Sequence, residues 1–230
     1  MISVCMATYN GETYLRAQLE SILMQLGDDD EIVISDDGST DNTIEIINSY
    51  KDSRIKIYVN KGRHGFVGNF ENALCHAMGD YIFLSDQDDI WMPKKIETCV
   101  NVLKDHIALN HNSLLVDSSA KSMGIDFFSV HHSSGGYFQT LWRNSYSGCC
   151  MAFRKDLLRY ALPFPKKIAS HDIWLGLVAE KHGRPVFLPQ PLLYYRRHGL
   201  NASSTAEKSK LSLAKQLKYR FYMLMYSLIR

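Results

Sequence analysis

The first hundred residues alternate between short apolar runs and segments with helical periodicity. Strand-like runs at 2–7, 31–35, 55–59 and 81–84 are followed by helical patterns at 12–26, 40–50, 66–78 and 93–105. Such alternation is typical of a mainly parallel sheet with helices on its faces, whose ligands bind beyond the carboxyl ends of the strands. We therefore predict an α/β fold with functional residues in the loops that follow strands.

The second half of the chain has a less regular pattern. We predict short strands at 113–116, 137–142, 185–188 and 192–196, a compact apolar segment at 148–153 and a helix over 172–182. Small residues at 202–206 indicate a linker, and a separate basic helix is expected after it.

Composition narrows the function classes. The chain has 230 residues, 46% of them apolar, which is enough for the core of one large domain. A net charge of +2 gives no indication of a nucleic-acid partner. The five cysteines are scattered without a C-x-x-C pair, which indicates reduced thiols and argues against a zinc site.

The ends of the chain and its apolar runs indicate where it is found. Met1 leads directly into an apolar strand pattern without a basic leader, and no apolar run approaches the roughly 18 residues of a spanning helix. We expect a cytoplasmic protein that is neither secreted nor membrane-spanning. Because the helical pattern is still running at Arg230, we also expect the natural chain to continue.

An acidic cluster follows the strand pattern at 81–84. Asp86, Asp88 and Asp89 lie within the stretch FLSDQDDIWMP at 83–93. Mutual repulsion and desolvation of three carboxylates at the end of a buried strand oppose folding, so a cation is expected beside them. Taken alone, the cluster could equally be a solvated loop.

Three other polar motifs occupy comparable places. Residues 8–11 and 36–41 each follow a strand pattern, and 170–172 precede the predicted helix in the second half. Each is weak by itself, since 36–41 fits an ordinary turn with a helix N-cap. In a parallel sheet these loops share one edge, so acidic groups distant in sequence can converge in one cleft.

The order of these motifs resembles the family 2 glycosyltransferases of the GT-A fold, over about residues 1–205. The resemblance rests on VCMATYNG at 4–11, ISDDGSTD at 34–41, SDQDDIW at 85–91 and HDIW at 171–174. The stretch LYYRRHGLN at 193–201 is similar to the bacterial rhamnosyltransferase-type branch. The resemblance implies a Rossmann-like, mainly parallel or mixed central sheet flanked by helices, with a donor half at about 1–109 and an acceptor half at about 110–205.

The same resemblance implies a metal site. Asp88 matches the family position that ligates a divalent cation, and Asp86 the position near the donor ribose and that cation. Asp89 is either a second ligand or the N-cap of the helix expected from Pro93. Hard oxygen ligands select Mg²⁺ or Mn²⁺, which would offset the repulsion among the carboxylates and neutralise the departing diphosphate.

Roles in donor binding follow from the matched motifs. Asp36 and Asp37 correspond to positions that contact the base and ribose of a nucleotide sugar. Tyr9 would stack on the base or supply a backbone contact, or else pack under the neighbouring helix. The full set of expected nucleotide-binding residues is Thr8, Tyr9, Asn10, Glu12, Asp36, Asp37, Gly65, Asp86 and Gln87.

Catalysis is assigned to Asp172, which matches the family's general base. His171 could orient Asp172, contact the diphosphate or simply pack. Further candidates for diphosphate or acceptor contacts are Trp174, Arg196 and His198. Trp174 could instead pack in the core, and Arg196 could instead form an ordinary surface pair.

These roles imply an inverting, metal-dependent glycosyltransferase. It would move a sugar from a dTDP- or UDP-activated donor, with dTDP-rhamnose one candidate, to a glycan acceptor of a bacterial surface polysaccharide. A nucleotidyltransferase is the alternative enzyme, disfavoured because residues 8–12 form no glycine-rich basic phosphate loop. A non-catalytic carbohydrate-binding protein of the same fold is disfavoured because both Asp88 and Asp172 are present.

The last segment, 206–230, is basic and amphipathic. Between 207 and 230 six cations accompany one acid, and apolar residues recur at helical spacing. The pattern fits a helix lying on the anionic inner leaflet, where a lipid-linked acceptor would be found. It fits equally a helix that docks on the catalytic domain or on a second subunit.

Overall fold

A mixed sheet of nine strands runs through the part of the chain that the structure, a computed structural model, describes, namely residues 1–199 and 212–230. The strands are β1 (Ile2–Thr8), β2 (Glu31–Asp36), β3 (Ile55–Val59), β4 (Tyr81–Ser85), β5 (Ile90–Trp91), β6 (Ala108–Val116), β7 (Ser122–Asp126), β8 (Met151–Arg154) and β9 (Val186–Arg196). The helices are α1 (Leu15–Leu23), α2 (Thr43–Ser49), α3 (Phe66–His76), α4 (Lys95–Leu103), α5 (Phe127–His131), α6 (Tyr137–Trp142), α7 (Leu158–Ala161), α8 (His171–His182) and α9 (Leu213–Ile229). Short 3₁₀ turns cover Gly148–Cys150 and Lys155–Leu157.

Strand order places the polar loops at one edge. The order is β3-β2-β1-β4-β8-β6-β9-β5, with β7 paired to β6. The strands β1, β2, β3 and β4 are mutually parallel. In contrast, β8 is antiparallel to both β4 and β6. The loops after β1, β2, β3 and β4 therefore leave the same edge, as the alternating sequence pattern predicts.

The sheet is buried on both faces. In β1, Val4 and Met6 pack into one apolar cluster with α1 and α4, while Cys5 packs into the other with α3 and α8. Burial on both faces requires a nearly continuous apolar run. This requirement explains why the strands β1, β2 and β4 were recognisable from sequence.

The stretch 137–142, predicted as a strand, is the helix α6. Tyr137 and Leu141 lie four residues apart, so a helix turns both toward the core cluster that they contact. The Tyr137 hydroxyl also lies 2.5 Å from Ser227 Oγ of α9. The prediction was wrong because contacts with distant elements decide the conformation of a short apolar segment.

The two strands predicted at 185–188 and 192–196 form the single strand β9. Pro189 and Pro191 interrupt the apolar pattern within it. The pairing of β9 with β6 shifts register between His111 and Asn112 and again between Asn112 and Leu114. Prolines are tolerated at such irregularities because no ladder hydrogen bond is required of them there.

The C-terminal helix α9 docks on the rest of the fold, and docking of this kind was one of the alternatives left open by the sequence. Met223 is 2% exposed, and Lys181 Nζ of α8 donates to the Ser227 carbonyl oxygen at 2.7 Å. The linker predicted at 202–206 lies outside the described residues. Within 1–199 and 212–230, no helix combines the length and the apolar character needed to cross a membrane.

Glu31, the first residue of β2, ties the strand edges together. Its side chain is 1% exposed and accepts hydrogen bonds from Ser3 Oγ at 2.5 Å, Lys56 Nζ at 2.7 Å and the Met78 backbone N at 2.7 Å. Burial alone would raise the pKa of Glu31, but these hydrogen bonds and the Lys56 charge lower it below its ordinary value.

We expect Glu31→Gln to lower the free energy of unfolding by about 1–3 kcal/mol at pH 7, measured by urea denaturation. A lowered folded-state pKa stabilises the fold above the unfolded pKa, and this contribution disappears as the pH falls through the folded-state pKa. The difference between wild type and variant should therefore shrink below about pH 4. Glu45→Gln, at an exposed position of α2, is the control and should change stability by less than about 0.5 kcal/mol.

Candidate active site

The acidic loop between β4 and β5 brings metal-binding atoms together. One donor atom each from Asp86, Asp89 and Cys149 lies within 4.8 Å of the others. Asp89 and Cys149 are fully buried, and Asp86 is mostly buried. Asp89 Oδ2 has no hydrogen-bond partner among the described residues, which is unfavourable for a buried carboxylate oxygen without a cation.

Asp172 acts electrostatically on this loop. Burial raises the pKa of Asp86 to about 7, and the charges of Asp88 and Asp172 add to the rise. Burial likewise raises the pKa of Asp89 well above its ordinary value, with Asp88 and Asp86 contributing. The carboxylates from β4 and from α8 therefore share one electrostatic environment, as the predicted convergence requires.

A buried lysine that sequence reasoning missed lies behind the acidic loop. Lys95 is 0% exposed, and its Nζ donates to the Cys149 carbonyl oxygen at 2.9 Å. The same Nζ lies 4.1 Å from the centroid of the Trp91 ring. Burial lowers the pKa of Lys95, while nearby groups including Asp89 oppose that change. In the sequence, the one indication of this burial is that Lys95 lies shortly after the acidic loop, at the first residue of α4.

The end of β9 holds the acidic loop in place. His198 Nε2 lies 2.8 Å from Asp88 Oδ2, and the Arg196 backbone N donates to Asp89 Oδ1 at 3.0 Å. Asp89 therefore does not cap α4, which begins at Lys95 after Lys94 in the left-handed region. Of the two sequence alternatives for Asp89, the arrangement favours the ligand.

The Arg196 guanidinium binds the backbone, and a diphosphate contact by this residue stays a prediction. Its Nε donates to the Asp88 carbonyl oxygen at 2.8 Å, and its Nη1 donates to the Ser118 carbonyl oxygen at 2.7 Å. The guanidinium carbon lies 4.7 Å from the centroid of the Tyr14 ring, and the residue is 5% exposed. Its contacts instead fix the backbone beside Asp88.

Gln87 joins the acidic loop to the loop after β1. Its Nε2 donates to the Tyr9 carbonyl oxygen at 3.0 Å, and its Oε1 accepts from the Tyr9 N at 2.9 Å. A Cβ at Gly11 would collide with the Gln87 side-chain amide, so a larger residue there would displace this bridge. The Tyr9 side chain is 56% exposed, which excludes packing under the helix and leaves the ring accessible to a ligand.

Asp36 is fully used in shaping its own loop. Its two oxygens accept from the Gly38 N at 3.0 Å, the Ser39 N at 2.8 Å, the Ser39 Oγ at 2.6 Å and the Thr8 Oγ1 at 2.8 Å. It is also buried. A nucleotide contact by Asp36 or Thr8 stays a prediction, and it would have to form beside these bonds.

Asp37 lies nearer the surface and organises the loop after β3. It accepts from Asn60 Nδ2 at 2.8 Å and from the Gly65 N at 2.7 Å, and it lies 2.9 Å from His64 Nδ1. Gly65 has a φ of +89°, which favours glycine. Gly65 therefore positions a neighbour of the predicted nucleotide site, and a direct ligand contact stays a prediction.

Asn10 and Glu12 also bridge loops. Asn10 Oδ1 accepts from the Thr40 N at 2.8 Å, and Glu12 Oε2 accepts from the Asn42 N at 3.0 Å and its Nδ2 at 2.7 Å. Both side chains thus stiffen the rim formed by the loops after β1 and β2. Their nucleotide contacts also stay predictions.

Asp172 lies in the first turn of α8. Its Oδ1 accepts from the Ser170 hydroxyl and from the Ile173 N, the latter at 2.7 Å, while its Oδ2 accepts from Asn144 Nδ2 at 3.2 Å. A helix N-terminus stabilises a carboxylate. Sequence reasoning missed Asn144 because it lies in an irregular segment of the second half with no recognisable motif.

His171 and Trp174 pack inward, which is the packing alternative that the sequence left open for both, and a diphosphate or acceptor contact by either residue stays a prediction. The His171 ring stacks on Phe70 with centroids 4.1 Å apart, and neither ring nitrogen has a hydrogen-bond partner among the described residues. Burial lowers the pKa of His171, which favours the neutral ring. Trp174 is 0% exposed, and its Nε1 donates to the Ala161 carbonyl oxygen at 2.9 Å.

The close approach of Gly148 to His171 gives a test of this packing. A Cβ at Gly148 would lie 2.5 Å from His171 Nε2, so Gly148→Ala must displace the ring or the turn. We expect a loss of about 1–3 kcal/mol in the free energy of unfolding, measured by urea denaturation. Gly27→Ala, whose Cβ would meet its nearest atom at an ordinary 3.5 Å, is the control. Equal stability of the two variants would contradict this packing.

Comparison with known proteins identifies the family. The sequence model described as Glycosyl transferase family 2 matches residues 3–160. A dTDP-rhamnosyl transferase, RfbG, of Shigella flexneri is 30% identical over 94% of this chain and 81% of its own length. WfgD of Escherichia coli, named a UDP-Glc:alpha-D-GlcNAc-diphosphoundecaprenol beta-1,3-glucosyltransferase, is 28% identical over 79% of this chain and 71% of its own.

Solved structures share the fold. TarS of S. aureus, crystallised with UDP-GlcNAc, has a TM-score of 0.74 at 18% identity, over 98% of this chain and 66% of that chain, so this chain spans just under two thirds of the TarS chain. Glucosyl-3-phosphoglycerate synthase of Mycobacterium tuberculosis, crystallised with Mn²⁺ and UDP, has a TM-score of 0.63 at 18% identity. The match covers 99% of this chain and 79% of that chain. Together with the strand order, these likenesses give this chain the GT-A fold. The chain belongs to glycosyl transferase family 2 and is a glycosyltransferase.

Proposed function

We propose that this protein transfers a sugar from a nucleotide donor to a glycan acceptor during synthesis of a bacterial surface polysaccharide, with inversion at the anomeric carbon and with a divalent cation. The observation that carries the proposal is the buried acidic loop, in which donor atoms of Asp86 and Asp89 lie within 4.8 Å of each other and Asp89 Oδ2 has no hydrogen-bond partner among the described residues. A transferase of this kind needs a cation beside the leaving diphosphate and a base beside the attacking hydroxyl.

The residues present fit a hard divalent cation. Asp86, Asp88 and Asp89 offer carboxylate oxygens, and Asp89 Oδ2 is buried without a partner among the described residues. The thiol of Cys149 is a poor ligand because its hydrogen bond with Cys150 and its burial raise its pKa well above the ordinary value. His198 lies beside Asp88 and is a further candidate ligand, whereas the sequence predicts a diphosphate or acceptor contact for it. This set favours Mg²⁺ or Mn²⁺, and when bound such a cation would neutralise the charge of the departing diphosphate.

Asp172 supplies the proton acceptor. In an inverting transfer the acceptor hydroxyl attacks opposite the leaving group, so a single carboxylate that removes its proton is sufficient. Ser170 and Ile173 both donate to Oδ1 of Asp172, whereas Asn144 alone donates to Oδ2, which leaves one lone pair of Oδ2 for the acceptor hydroxyl. The orientation of the carboxylate is thus set before substrate binds.

For the donor we propose a dTDP- or UDP-sugar. The exposed ring of Tyr9, the partly open Asp37 and the fixed loops around them form a rim suited to a pyrimidine nucleoside diphosphate. dTDP-rhamnose is the favoured donor because of the likeness to RfbG across nearly the whole chain.

For the acceptor we propose a lipid-linked glycan at the cytoplasmic face of the membrane. WfgD, by its name, acts on a sugar linked through diphosphate to undecaprenol. The docked helix α9 leaves Leu217, Phe221 and Leu228 exposed by 47%, 59% and 63%, which supports peripheral contact with a bilayer.

Replacing the proposed base should separate turnover from binding. We expect Asp172→Asn to reduce turnover about 10²- to 10⁴-fold while leaving the affinity for nucleotide nearly unchanged, because only proton removal is lost. Asp156→Asn, at a surface carboxylate paired with Arg154, is the matched control. Normal turnover in Asp172→Asn, measured with the cognate donor and acceptor, would remove Asp172 from the mechanism.

Donor and metal can be tested without an acceptor. A ligand that binds only the folded state raises its stability by mass action. We expect UDP or dTDP with Mn²⁺ to raise the melting temperature well above the value with nucleotide and EDTA, and GDP to have little effect. Asp89→Asn should abolish the Mn²⁺-dependent part. An equal shift with Mn²⁺ and with EDTA would contradict the metal site.

A further inference from the structure

A basic cavity of about 350 Å³ lies between the start of α9, the segment 166–168 and the loop after β3. Five cationic side chains line it together with Ile168 and two tyrosines. The cations are Arg63, Lys166, Lys167, Lys215 and Lys218, and the tyrosines are Tyr219 and Tyr222. The cavity is distinct from the acidic loop, since it shares no lining residue with it.

The described lining of this cavity carries positive charge only. Within residues 1–199 and 212–230, no carboxylate lines the cavity and none of its five cations forms an ion pair. The Lys167 Nζ lies 4.7 Å from the Tyr222 ring centroid and donates to the Tyr222 hydroxyl at 3.3 Å. Like charges gathered in this way repel each other, and an anion with several oxygens would relieve the repulsion.

The cavity adjoins both parts of the proposed active site. Arg63 lies in the loop whose Asn60 and Gly65 hold Asp37. On the other side, Ile168 precedes Asp172 by four residues, which places their Cα atoms within about 14 Å of each other. An anion in the cavity would therefore lie against the segment that leads into Asp172 and outside the acidic loop that would hold the donor diphosphate.

The helix α9 combines this charge with hydrocarbon. At 3.6 residues per turn, the cavity-lining residues Lys215, Lys218 and Tyr222 occupy one sector of the helix. The exposed residues Leu217 and Phe221 occupy the sector on one side of these cations. The docked face, which includes Met223, lies on the other side of them. A ligand that suits both sectors carries phosphate at one end and a hydrocarbon chain at the other.

We propose that this basic cavity binds the diphosphate of a lipid-linked acceptor, with the lipid chain along the exposed apolar sector of α9 and the sugar directed to Asp172. The inference rests on the proposed function, because it names the chemical class of the acceptor for the same reaction. Charge complementarity selects the phosphate groups, and the apolar sector selects a lipid over a free nucleotide or a nucleic acid.

Flotation of the full chain with vesicles tests the proposal. The vesicles contain phosphatidylcholine alone, phosphatidylcholine with a polyprenyl diphosphate, or phosphatidylcholine with phosphatidylglycerol at equal charge. We expect tightest binding to the polyprenyl diphosphate vesicles, and roughly ten- to thirtyfold weaker binding to them for the double variant Lys215→Gln, Lys218→Gln. The control double variant, Lys104→Gln with Lys121→Gln, removes the same charge from exposed positions elsewhere and should bind as wild type does.

Each other outcome overturns the site. Equal binding to phosphatidylglycerol vesicles would indicate a general anionic surface, and unchanged binding by the Lys215, Lys218 variant would remove the cavity from lipid recognition. Failure of the function is distinguishable from failure of the site. If wild type floats selectively with the polyprenyl diphosphate vesicles but transfers no sugar, the proposed function is wrong and the lipid site is supported. If the Lys215→Gln, Lys218→Gln variant transfers sugar to the lipid acceptor with an unchanged KM, the function is supported and the site is wrong.

Discussion

The concentration of carboxylates at the end of β4 is the constraint on which the rest of the site depends. Asp86 and Asp89 are held in a mostly buried loop, where burial first and the charge of Asp88 second raise the pKa of both carboxyl groups. The protein offsets this cost only in part, through the backbone bond from Arg196 and the buried charge of Lys95. A loop kept in this unfavourable state is suited to a ligand that brings positive charge.

The rim around this loop is built by polar side chains that bind one another. Gln87 fixes the loop after β1, Asp36 fixes its own loop and Asp37 fixes the loop after β3. These bonds use much of the capacity of the acidic motifs, so several residues expected at the nucleotide serve to hold the backbone. A rim ordered in advance reduces the conformational entropy that a bound donor would otherwise cost.

The side proposed to bind the acceptor differs in both charge and construction. There α9 docks through Met223 and the Ser227 carbonyl oxygen, and it brings Lys215 and Lys218 to the segment that leads into Asp172. In the proposed arrangement the two sides would present opposite charge to two diphosphates, carboxylates for a cation-bound donor and cations for the acceptor. This division would keep each diphosphate in its own site.

The sequence by itself determined the parallel half of the sheet and the positions of its acidic loops, because strands buried on both faces need continuous apolar runs and parallel strands end at one edge. It did not determine whether 137–142 forms a helix. The four-residue spacing of Tyr137 and Leu141 favours a helix only because α8 and α9 pack against this segment. Nor did the sequence determine the inward packing of Trp174, the contacts of Arg196 or the presence of Asn144 at Asp172. Only the tertiary structure decided these, because the direction and burial of a side chain depend on partners that are distant in the chain.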